Sequence, residues 1–227
     1  MDYTRLTQNG GYDGWVRVNG ERFELSQDSV WGTRDRSWGI RGVGARDTQV
    51  NPYAGDPQFF WLWAPLNFDD SACFYHLNAD ADGEPWNTMG RVVTADASEE
   101  MAAVSSQLDY QSGSRVAREA NLDFTRADGA AINIRLTPRQ TFYMRGLGYM
   151  HPDWGHGHYK GELATNFEVY DLSAISPADP GYFHVQAVCD AELTGPNGTQ
   201  HGKGVLEQLV IGAYEPYGFK ELFDVYT

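Results

Sequence analysis

Four turn dipeptides, Asn19-Gly20, Asp82-Gly83, Asp128-Gly129 and Asn197-Gly198, constrain this chain more than any other feature. Glycine takes the positive φ that tight hairpin turns demand, and Asn or Asp before it tolerates the same region. Strand-forming residues flank each turn. Residues 12–18 and 21–25 pair about the first, and 115–126 and 131–137 about the third, where Ile132, Ile134 and Leu136 alternate with polar neighbours. Further strands are predicted at 58–66, 71–78, 88–94, 101–111, 141–145, 158–171, 182–193 and 205–212. Such a count and spacing predicts an all-β, antiparallel barrel or β-sandwich with very little helix. Only 98–103 gathers good helix formers, enough for one or two turns, while 43–57 and 173–181 read as loops rich in Gly, Pro, Asp and Asn. The whole chain reads as one domain, with a weak subdivision near 112–114.

Charge excludes some partners. With 17 Lys and Arg against 31 Asp and Glu, the net charge of −14 would repel a phosphate backbone, so no nucleic-acid partner is expected. No apolar run approaches the roughly 20 residues of a membrane helix, and the start has no basic region followed by an apolar one. The two cysteines, Cys73 and Cys189, lack metal or redox spacing, which fits a reduced, cytoplasmic setting. Gly202-Lys203-Gly204 and Gly146-Leu147-Gly148 lack the spacing of phosphate-binding or dinucleotide-binding loops, and no G-x-S-x-G nucleophile elbow occurs.

The densest unusual segment runs from Trp31 to Arg41, where Asp35 stands among Arg34, Arg36 and Arg41 with Trp31 and Trp38 close by. Aromatic walls raise the pKa of an acid by desolvation, and arginines lower it. An Arg–Asp ion pair pinning a strand end is the structural alternative. A second constellation, His156, His158 and Glu162, puts two imidazoles on one strand face, and His184 completes a cupin-like metal site on this alternative.

The segment Arg34-Asp35-Arg36-Ser37-Trp38-Gly39-Ile40-Arg41 resembles the D-R/H-S/N-W-G signature of the hydroxyneurosporene synthase (carotenoid hydratase) and AttH-like superfamily. The resemblance continues in Phe60-Trp61-Leu62-Trp63-Ala64, in residues 151–157 and in residues 202–208. It implies a lipocalin-like, calycin-type β fold. It also implies that the chain corresponds to the C-terminal unit of a two-domain architecture, the other half being absent or separate, so a missing N-terminal domain or a homo-oligomer is the expected protein partner. In the carotenoid hydratases the matching acid is implicated in protonating an isolated alkene before water adds. The resemblance therefore makes Asp35, Arg36 and Arg41 the catalytic candidates. Arg36 stands where the hydratases carry an imidazole, and its fixed charge favours an ionised Asp35.

Protonating an alkene calls for a desolvated acid and aromatic faces that stabilise a cation. Trp31, Trp38, Trp61, Trp63, His76, His151, Trp154, His156 and Glu207 are the candidate ligand-binding residues. The expected function is conversion of a hydrophobic isoprenoid or polycyclic small molecule by acid-assisted hydration, isomerisation or cyclisation, without a cofactor. A non-catalytic binding module for the same ligand class and a metal-dependent cupin-like enzyme are the alternatives. Asp35, Arg36, Trp38 and Arg41 are expected to form one partly buried cluster. A regular strand would split them between two faces, so the cluster requires a bulge.

Overall fold

A computed structural model of the chain describes residues 2–40, 57–148, 150–155 and 158–227. Nine strands form one antiparallel sheet. In chain order they are β5 (Phe59–Asn67), β6 (Ser71–Ala79), β7 (Pro85–Thr94), β8 (Ser98–Glu100), β9 (Ala103–Tyr110), β10 (Ala117–Thr125), β11 (Ala131–Tyr143), β14 (Val185–Gly195) and β15 (Gly198–Ile211). Their spatial order is β8-β7-β6-β5-β15-β14-β11-β10-β9. Before them, β1 (Asp2–Gly11) and β4 (Trp31–Ile40) form a separate ribbon, β2 (Gly14–Val18) and β3 (Glu21–Leu25) a hairpin, and β12 (Gly146–Gly148) and β13 (Met150–Gly155) a short parallel pair. Helical structure among the described residues is confined to three 3-10 turns. The all-β antiparallel architecture expected from the turn pattern is the one observed.

The four turn glycines all have positive φ, from 86° to 99° at Gly129, Gly20, Gly83 and Gly198 as a group, and Asn19 joins Gly20 at φ 50°. Each turn joins two paired strands. Alternation then gives each strand of the large sheet two distinct faces. Along β5, Phe60, Leu62, Ala64 and Leu66 are buried at 1% exposure or less. They share the core with Leu206 on the neighbouring β15 and with Leu122, Phe124, Ile134 and Leu136 on β10 and β11. The sheet curls around this core into a half-barrel. Tyr75 on β6 stacks on Phe124 on β10 with centroids 6.1 Å apart, and the Met101 N–H donates to the Gly90 carbonyl at 2.9 Å where the two ends of the sheet approach. Cys73 and Cys189 are free and buried within it, and burial pushes both thiols up to about 12.

Several expectations are corrected. Residues 98–100 pair with β7 as a strand rather than starting a helix, with Arg91 bonded to Glu100 and Arg126 to Glu99 across the strands. Residues 158–171 form no strand. Tyr159, Leu163, Phe167 and Val169 are each more than 80% exposed, so no buried face holds them in register. Residues 2–11 do form a strand, which their polar composition concealed. The ribbon register runs unbroken from Asp2↔Ile40 to Gly11↔Trp31, so the bulge expected near Asp35 is not formed. The predicted loop at 43–57 lies outside the described residues apart from Pro57, whereas 173–181 is irregular as expected, with 3-10 turns at both ends. β9 and β10, on either side of 112–114, are paired neighbours in one sheet.

Gly202 and Gly204 have a packing role. A Cβ on Gly204 would lie 2.3 Å from the Pro65 carbonyl oxygen and 2.8 Å from Leu66 Cα, and one on Gly202 would lie 2.1 Å from the Asn67 carbonyl oxygen. β15 therefore crosses β5 at a distance only glycine allows. Gly204→Ala is expected to lower the unfolding free energy in urea by about 2–3 kcal/mol, through overpacking against backbone that cannot move aside. A loss below about 0.5 kcal/mol, the range of ordinary surface changes, would mean that the two strands can part.

Candidate active site

The face of the sheet turned away from the core carries the polar and aromatic residues of a cleft. One residue per strand stands in a single cross-strand row: Gln186 on β14, Glu207 on β15, Trp63 on β5, His76 on β6 and Met89 on β7. The adjoining row runs Leu209, Trp61, Asn78 and Asn87. The β1–β4 ribbon lies against this face. Its Asn9 amide donates to the Leu66 carbonyl at 2.8 Å, and the Arg5 guanidinium sits 5.6 Å from the centre of the Trp61 ring. Ribbon and sheet together enclose a cleft of about 1290 Å³ lined from the ribbon by Arg5, Thr7, Asn9, Asp35 and Ser37.

Glu207 is the focal group. Its Oε1 accepts from His184 Nε2 at 2.7 Å and its Oε2 from Gln186 Nε2 at 3.0 Å, and the Trp61 side chain adds a further hydrogen bond. The Glu207 and His184 side chains are only 14% and 16% exposed. Burial pushes the Glu207 carboxyl up, but the bond and charge of His184, then Gln186 and Trp61, outweigh it and hold the group below its ordinary value of 4.5. The carboxylate is therefore ionised at neutral pH, and its partners fix where both oxygens point. Such a carboxylate–imidazole pair can store one proton and release it to a bound molecule.

His76 stacks on Trp61, centroids 5.9 Å apart and planes 22° from parallel, and its Nε2 lies 3.1 Å from Asn87 Oδ1. Burial lowers its pKa first, the bond to Asn87 opposes that, and the nearby Arg5 charge lowers it further. The balance favours the neutral imidazole. Asp35 faces the cleft at 3.6 Å from Arg5 Nε, with its side chain 40% exposed.

Of the residues expected from sequence, Asp35, Trp61, Trp63, His76 and Glu207 meet in this cleft. Arg36 and Trp38 lie on the opposite face of the ribbon, with Arg36 over the Trp38 ring at 5.6 Å and Trp38 52% exposed. The unbroken register explains why, because Asp35 and its even-numbered neighbours must point oppositely. Trp31, His151 and Trp154 are absent from the described lining. His151 Nδ1 instead accepts from the Asp153 and Trp154 amides at 3.0 and 2.8 Å, and its Nε2 lies 3.3 Å from Glu168. Arg41 and His156 lie outside the described residues. The metal alternative loses its strand, since His158 and Glu162 sit on the irregular stretch, while His184 is bonded to Glu207. Among the described residues, no three His, Cys, Asp or Glu side chains gather as a metal site. No helix among them is long and apolar enough to cross a membrane. Sequence reasoning did not name Gln186, Asn87 or Arg5, and named His184 only as a metal ligand.

Comparison with known proteins yields a family and a distant structural likeness. The sequence pattern of a family described as "Family of unknown function (DUF8625)" matches residues 1–220. No curated protein matches. Among solved structures, the chain is similar to kievitone hydratase from Nectria haematococca, at 14% identity and a TM-score of 0.47 over 87% of this chain. It covers 49% of that protein, about half its length.

Proposed function

Because the chain belongs to this family of unknown function, its activity must be read from its own side chains, and we propose that the cleft binds a mostly apolar small molecule and transfers a proton on it. The half-buried Glu207–His184 pair beside the indole walls of Trp61 and Trp63 supports this reading. Apolar walls contribute about 25 cal/mol for each Å² of ligand surface they remove from water. Water exclusion strengthens the electrostatics of the pair.

The reaction that fits is acid-assisted addition of water to an alkene, or its reverse. A proton held by the Glu207–His184 pair goes to one alkene carbon, the oxygen of water bonds to the other, and the proton lost from that water returns to the pair. Isomerisation uses the same pair to add a proton at one carbon and remove one from a neighbour. Asp35, paired with Arg5, accepts a hydrogen bond from the water or from a polar end of the ligand. A terpenoid or polycyclic alkene is the ligand class, as the aromatic walls and the acidic net charge favour an uncharged molecule.

The test is to incubate the protein with a terpenoid mixture in D₂O and identify retained and released molecules by mass spectrometry. The expected result is deuterium on carbon in one ligand, with the mass of added water if hydration occurs. Retention of terpenoids without carbon-bound deuterium would leave the cleft as a binding module, and retention of none would overturn both.

A further inference from the structure

Behind His76 runs a chain of amides whose direction is fixed at one end. The buried Asn78 side chain faces the Phe60 carbonyl at 3.2 Å, and a carbonyl only accepts, so the atom presented to it is the Nδ2 donor. Asn78 Oδ1 then faces Asn87 at 3.1 Å, which must donate from its own Nδ2. That leaves Asn87 Oδ1 toward His76, 3.1 Å from Nε2. Only a protonated Nε2 satisfies it. A neutral imidazole with its hydrogen on Nε2 has a lone pair on Nδ1, and no hydrogen bond to Nδ1 occurs among the described residues. The ring lines the cleft, flat against Trp61, and the Thr88 hydroxyl donates to the His76 carbonyl at 3.2 Å, steadying the strand at that position.

We propose that His76 is a specificity-determining hydrogen-bond acceptor, locked in its Nε2–H form by Asn87, Asn78 and the Phe60 carbonyl, which selects ligands bearing a hydroxyl group. The proposal rests on the reading of the cleft as a site for a mostly apolar molecule, and narrows that molecule to an alcohol or phenol. A hydroxyl donates to Nδ1 while the apolar body packs on Trp61 and Trp63. An ether or hydrocarbon of the same shape offers no donor and covers the Nδ1 lone pair without bonding to it. Asn87 and Asn78 are positioning residues, since they act through the imidazole.

The probes are 2-naphthol and 2-methoxynaphthalene, titrated into the full chain by calorimetry. The wild type is expected to favour the naphthol about five- to tenfold, the worth of one hydrogen bond that the ether cannot make. His76→Phe keeps the aromatic wall and should bind both equally, and Asn87→Leu, which frees the tautomer, should reduce the preference. Equal binding by the wild type, or a preference that survives in His76→Phe, overturns the proposal and leaves the cleft reading intact. Binding of neither probe by the wild type overturns the cleft reading and the proposal with it. Independently of any variant's folding, nitrogen NMR of the wild-type imidazoles should find a neutral His76 with its hydrogen on Nε2. A hydrogen on Nδ1 refutes the proposal.

Discussion

Arg115→Met is expected to lower unfolding stability by about 3–5 kcal/mol and the melting temperature by on the order of 10 °C, although Arg115 is far from any chemistry. Its side chain is fully buried. Nε donates to the Asp224 carbonyl at 2.6 Å, one terminal nitrogen to the Gly212 carbonyl at 2.9 Å and the Val210 carbonyl at 3.3 Å, and the other to the Glu221 carbonyl at 3.0 Å and the Asp224 carboxylate. The guanidinium also lies 4.4 Å from the centre of the Phe219 ring. This one residue, between β9 and β10, ties the end of β15 to the C-terminal segment. Methionine fills the volume but takes the guanidinium donors from those carbonyls and leaves the Asp224 carboxylate only the Lys220 and Glu221 amides. Arg115→Lys, with a point charge and three donors in place of a planar fork, should restore only part of the loss. Thermal unfolding followed by circular dichroism measures both. A methionine variant that melts with the wild type would mean that the carbonyls find other partners.

Glu207→Gln is expected to reduce turnover by about 10²–10⁴-fold while changing ligand affinity little. The amide keeps the shape of the carboxyl group but presents a donor to His184 or Gln186, both of which already donate there. Deuterium incorporation under single-turnover conditions measures the chemical step, and naphthol calorimetry measures binding. Unchanged incorporation would remove Glu207 from the reaction. In the wild type the carboxyl is held below 4.5, its ordinary value, so its stabilising contribution is complete above that pH. That contribution is lost as pH falls through the lowered value, and the acid limb of activity should fall in the same range.

Much of the large sheet can be counted out of the sequence. Gly195 and Gly198 pair about the fourth turn, and stepping back along both strands from there brings Gln186 opposite Glu207. Alternation likewise puts Trp61 and Trp63 on the same side of β5, away from Leu62. Long-range placement was less legible. β5 lies beside β15, more than a hundred residues later in the chain, so nothing local reveals that Glu207 stands next to Trp63 or His184 near both. Residues 4–11 of the polar ribbon strand include no buried residue to betray it, and its contribution of Arg5 to the cleft was invisible. Arg115 reads as a surface charge because its partners are backbone carbonyls from the other end of the chain. Conversely, Leu163, Phe167 and Val169 look like strand residues but are left exposed.

The curl of the sheet separates two kinds of heritable change. Every second residue of β5, β6 and β15 packs inside and sets how firmly the protein folds, while the intervening ones face the cleft and set what it meets. On the proposed reading of the cleft, a substitution at Trp63, His76 or Leu209 redirects ligand choice while the cluster around Leu62, Tyr75 and Leu206 stays packed. Because the interior is already filled by side chains, a ligand need not be accommodated there. Lineages carrying this fold can therefore drift in specificity one exposed face at a time, with little accompanying erosion of stability.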